Sequence, residues 1–138
     1  MKRLLLFCCL FAASGAVTNA QTVNYQGTEI NTRPTQLTKT DYTSKVGQLN
    51  TFIGQNNLEA SKNQWNQIHN GIKAEFANLK TKYHAAIDAG NETEKAHIQS
   101  LLVSQQKVYL DIMNLKEDMV TNKEKLVAKL TEFGNNML

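Results

Sequence analysis

The sequence predicts an all-α protein: an antiparallel hairpin of two long helices with a shorter third helix packed at its base, a three-helix, bundle-like arrangement. Three observations carry that expectation. Apolar residues recur at 3–4 spacing through three separate stretches, the pattern of helices that bury one face. Short polar or glycine-bearing breaks separate the stretches. The only proline, Pro34, lies ahead of all three.

The first predicted helix covers residues 40–53. Tyr42, Val46, Leu49 and Ile53 fall at i, i+4, i+7 and i+11, a single apolar stripe. Thr38 or Thr40 can cap its start, and Asp41 suits its positive end. Gly47 sits mid-helix at a cost of ~1 kcal/mol against alanine. Counting along the chain places it opposite Trp65, so the glycine is read as room for the indole. Gly54 is the predicted stop.

Gln55-Asn56-Asn57 then turns the chain, with Asn57 as the cap of a second helix over residues 58–88. Its stripe is Trp65, Ile68, Ile72, Phe76, Leu79, Tyr83 and Ile87. That eleven-residue period favours a straight course over a left-handed supercoil. Gly90 suits the left-handed position after this helix. Asn91 and Glu94 have the spacing of a capping box.

The third predicted helix covers residues 91–133, with a stripe at Ile98, Leu101, Val108, Ile112, Leu115, Met119, Leu126 and Phe133. Its length would be ~60 Å, so it needs partner helices. Glu92 and Glu94 at its start and Lys123, Lys125 and Lys129 towards its end would favour the helix dipole. The unequal lengths predict a three-helix base and a two-helix tip over residues 73–108. Such a tip buries its stripe incompletely. Phe76, Leu102 and Tyr109 are therefore the candidates for an exposed binding face. Gln105 and Asn122 interrupt the stripe at core-type positions, where polar residues can set register or oligomeric state.

Ahead of the helices, Met1-Lys2-Arg3 precedes an apolar run over residues 4–17 and then Thr18-Asn19-Ala20. This is the order of a cleaved signal peptide, residues 1–20; the run is too short for a membrane span. Its removal takes away Cys8 and Cys9, leaving no disulfide, thiolate metal site or cysteine nucleophile. Residues 21–37 are polar and read as an extended or disordered arm, in which Val23 and Tyr25 alternate with polar neighbours. Residues 38–138 form the helical domain. Lys2 and Arg3 belong to the 15 basic residues that face 12 acidic ones, so the remainder is close to neutral. That balance offers no footprint for nucleic acid. The destination is the periplasm or the extracellular space.

Signals for chemistry are sparse. His84 and His97 flank the predicted hairpin turn, and with Asp88 or Glu94 they would supply a two-histidine-plus-carboxylate metal site. His69, beside Ile68, reads as an outward polar position. Asn91-Glu92-Thr93 matches a glycosylation sequon at the same turn. No nucleophile motif or phosphate-cradling loop is present, which argues against an enzyme and names no cofactor. The expected function is a secreted or periplasmic, non-catalytic protein. It would bind another protein, or itself, through an apolar helix stripe in the manner of a chaperone or adhesin subunit. The alternative is a metal-binding module at the hairpin tip.

Overall fold

The computed structural model describes residues 22–25, 28–31 and 36–138; the predicted signal segment lies outside them. Within the predicted arm, β1 (Thr22–Tyr25) and β2 (Thr28–Asn31) pair antiparallel, with Val23 opposite Ile30. The body of the protein is all-helical. Among the described residues its four helices are α1 (Lys39–Gly54), α2 (Leu58–Asp88), α3 (Glu92–Lys116) and α4 (Lys123–Asn135).

Local chemistry fixes most of the ends. The Asp41 amide donates to Thr38 Oγ1, the Ala60 amide to Asn57 Oδ1 and the Glu94 amide to Asn91 Oδ1. These caps satisfy donors that an α-helix leaves open at its start. Gly90, at φ 65°, takes the left-handed position that closes α2, where a Cβ would be strained. Between α1 and α2 the left-handed residue is Asn56, at φ 55°, while Gly54 is still helical.

The expected third helix is two helices. Residues 117–122 form a turn, and α4 folds back on α3. Three contacts define the direction. Asn122 Nδ2 donates to Leu115 O, Lys129 pairs with Asp111 and Gln105 Nε2 donates to Phe133 O. As one residue number rises the other falls, so the two helices run antiparallel. The turn contains neither proline nor glycine. Asp118 makes it instead: its Oδ1 accepts the Thr121 amide and its carbonyl accepts the Asn122 amide. Such a local side-chain bond competes with helix continuation. Lys123 and Lys125 thus lie at the start of α4, against the dipole placement expected for them; Glu124 is the favourable charge there.

Four antiparallel segments therefore make an up-down-up-down bundle in which α1 packs on α2 and α4, and α3 packs on α2 and α4, a standard solution for helices joined by short turns. The expected three-helix base is a four-helix base. Beyond it, the ends of α2 and α3 continue as a hairpin, with Leu79, Ile98 and Leu102 buried along it. Tyr42, Val46, Leu49 and Ile53 of α1 are all buried, as their spacing predicted, together with Trp65, Ile68, Ile72 and Phe76 of α2.

Glycines seat two of the contacts. A Cβ on Gly134 would lie 2.8 Å from the ring of Tyr42, and one on Gly71 would lie 2.6 Å from the end of the Leu37 side chain. Gly47, by contrast, is exposed and has nothing within 4 Å of a built Cβ. It does not make room for Trp65; the two point to different surroundings.

Candidate interaction surface at the base of the bundle

The α1–α2 turn and the 117–122 turn meet at one end of the bundle. Between them runs an open groove of about 520 Å³, lined by Ile53, Leu58, Ser61, Trp65, Lys116 and Met119 among others. Leu58 is the first residue of α2 and continues the stripe of Trp65 seven residues earlier, past the point where α1 can cover it. Val120 stands on the opposite turn. Both also line the groove and remain 55% and 52% exposed. Lys62, Lys116, Glu117 and Asp118 line it as well, so the groove is apolar at its lip and carries both signs of charge.

Its floor continues inward. Trp65 is buried, with Lys116 Nζ 5.9 Å from the ring centroid, a cation–π distance. His69 stacks on Trp65 at 5.4 Å and on Tyr109 at 6.0 Å. Its Nε2 lies 3.1 Å from the Tyr109 hydroxyl. Tyr109 meets the edge of Phe76, Phe76 meets Phe133 and Phe133 meets Tyr42. Tyr42 Oη then donates to Leu130 O. Six rings thus form one continuous series through the bundle. Burial holds the His69 pKa below its ordinary value, with Lys73 and Lys116 adding to the effect. A neutral imidazole has one donor and one acceptor nitrogen, so it can pair with a tyrosine hydroxyl in either sense.

This series relocates the residues expected to form an exposed face. Phe76 and Leu102 are buried, and Tyr109 is half-buried between His69 and Phe76. The fourth helix supplies the cover that a two-helix tip would lack. His69 is half-buried, stacked between Trp65 and Tyr109, not a fully outward position. Gln105 is fully buried and donates to Phe133 O, as suits a polar residue that fixes the register of two helices. Asn122 is partly buried and braces the 117–122 turn through Leu115 O. Exposed large apolar side chains are instead Leu58 and Val120 at the base, Val103 and Leu110 on α3, Ile87 near the hairpin turn and Leu138. The first two share the groove at the base.

The hairpin turn carries less than its histidines suggested. His84 and His97 are exposed, and His84 meets Tyr83 edge-on at 6.0 Å. Among the described residues, no three His, Cys, Asp or Glu side chains are grouped to hold a metal ion. The two-histidine-plus-carboxylate arrangement is therefore not assembled. Asn91, the sequon residue, uses its side-chain oxygen as a helix cap.

Ser61, the hydroxyl in the groove, donates to Asn57 O at 2.8 Å, and no histidine lines the groove beside it. Leu58 and Val120 were legible only in part. Leu58 extends a visible stripe, but Val120 joins it only once the chain folds back at residues 117–122. Among the described residues no helix is long and apolar enough to cross a membrane. Searches of protein-family models, curated proteins and solved structures found no match for this chain.

Proposed function

We propose that this is an exported, non-catalytic interaction protein whose base groove receives an apolar segment of a partner protein. The observation that carries this reading is the pairing of Leu58 and Val120 on two different turns. They are over half exposed, face one groove and stand above a buried tryptophan. Isolated exposed apolar residues are ordinary on a protein surface, whereas a concave apolar lip is what a binding site uses. Flanking charges of both signs would orient the partner without the salt-sensitive pull of a single-sign patch. Export rests on the basic, apolar and small-residue order of residues 1–20.

The test is site-specific photo-crosslinking in the native host. A photoreactive side chain at Val120 should capture a discrete partner, and the same side chain at Ile87, near the hairpin turn, should not. Leu58→Asp combined with Val120→Asp should abolish capture from a probe at Asn66 while leaving the helical circular dichroism unchanged. Equal capture from positions 87 and 120 would remove the case for the groove. Capture of a second copy of the same chain would make the partner homotypic.

A further inference from the structure

At the end of the bundle opposite the groove, α4 finishes in a clasp made by the other three helices. Lys39 of α1 donates to Asn135 O, and the ring of Tyr42 lies against Gly134. Gln105 of α3 donates to Phe133 O. Glu75 of α2 accepts the Leu138 amide on Oε1 at 2.8 Å. Met137, between these points, is buried.

Two atoms of this clasp have no hydrogen-bond partner: Glu75 Oε2 and Gln105 Oε1. Both side chains are fully buried. Positions 75 and 105 also lie at matching levels of the α2–α3 hairpin, whose register is set by the His69–Tyr109 contact. An unmatched buried acceptor costs roughly 1–3 kcal/mol, and more when charged. As a carboxylate, Glu75 would leave two such acceptors on facing helices, neither with a partner at hydrogen-bond distance and angle, although the Asn78 amide approaches the carboxyl. One added proton resolves both, because a protonated carboxyl gains an O–H donor and keeps an acceptor.

We infer that Glu75 is a neutral carboxylic acid in the folded protein, donating from Oε2 to Gln105 Oε1 while Oε1 receives the Leu138 amide, and that loss of its proton loosens residues 136–138. The carboxyl is thus a proton-operated catch on the end of α4. The charged groups facing it are Lys39 from α1 and Lys82 from its own helix. Residues 133–138 contain no charged side chain, and α3 presents the uncharged Gln105. Burial raises the Glu75 pKa, while the Leu138 amide, Asn78, Lys39 and Lys82 pull the other way. The sign follows. A folded-state pKa above the unfolded value gives stability that is present below the ordinary glutamate range and lost as pH rises through the folded value.

The direct test needs no substitution. The side-chain carboxyl carbon of Glu75 is followed by NMR against pH in the wild-type protein, alongside amide protection at Met137 and Leu138. The carboxyl should titrate above the ordinary glutamate value. The two protection factors should fall about tenfold per pH unit between the ordinary and the raised value, as a single linked proton requires. Glu75→Gln keeps the acceptor for Leu138 and supplies an N–H donor for Gln105, so its protection factors should not change with pH over that interval. A carboxyl titrating at or below the ordinary value overturns the inference: Glu75 would then be ionised, with a buried water serving both acceptors. PH-independent protection in the wild type overturns the release of residues 136–138.

Discussion

Single atoms decide which glycines matter here. Gly134 lies under the ring of Tyr42, which is fully buried and tied by its hydroxyl to Leu130 O. The ring has no room to yield, so Gly134→Ala should behave as an overpacked core position and cost ~1–3 kcal/mol. Gly47 is exposed with nothing near a built Cβ. Gly47→Ala should therefore stabilise the protein by ~0.5–1 kcal/mol through helix propensity. Urea unfolding of both variants checks the pair. Stabilisation by Gly134→Ala, or loss of stability in Gly47→Ala, would contradict these placements. From sequence Gly47 looked like the glycine that makes room for a neighbour, because it interrupts a helical pattern. Only the fold shows which one another helix approaches, and a Tyr42–Gly134 contact across 92 positions leaves no local trace.

Helix positions were largely legible and one helix end was not. The span of α2 could be read to the residue because Asn57 and Gly90 mark its borders. The stripe of α1 was equally plain. The division of α3 from α4 escaped notice because its turn uses Asp118, Val120 and Thr121 instead of glycine or proline. The signal was present as a gap: the stripe steps from Met119 to Leu126 with only Asn122 between, and a gap of that kind is compatible with either a solvent-facing patch or a reversal. Charge patterning misled in the same place, since lysines that would suit a helix end lie at a helix start. The consequence reached the candidate site, because the exposed face was assigned to a tip at whose base the additional helix meets Phe76 through Phe133. The reversal itself has a direct test. Spin labels at Lys107 and Thr131, both exposed, would be ~36 Å apart along one continuous helix. In neighbouring antiparallel helices the backbones lie ~8–10 Å apart. Double electron–electron resonance should show the short separation, and a population near the long one would restore the single rail.

At the scale of the whole molecule, a half-buried histidine and a buried glutamate, ~9 Å apart along α2, act in opposite senses on stability. His69, in the aromatic series near the base, has a folded-state pKa below its ordinary value of 6.5. Its contribution is complete above that value and is lost as pH falls through the folded one. Glu75, in the clasp, has a folded-state pKa above its ordinary 4.5. Its contribution is complete below that value and is lost as pH rises. His69 favours the fold increasingly as pH approaches 6.5, and Glu75 less and less as pH leaves 4.5, so over this interval the two groups pull in opposite senses. Each single variant exposes the slope of the group that remains. Glu75→Gln should give a melting temperature that rises across this interval, because only His69 still titrates against the fold. His69→Gln should give one that falls, because only Glu75 does. Calorimetric scans at half-unit steps would read both signs. Profiles parallel to the wild type in both variants would mean that neither ring stack nor clasp is linked to protons. The opposed slopes have a structural corollary. Acidification therefore loads the Trp65–His69–Tyr109 stack, while a rise in pH loads the clasp that holds the end of α4.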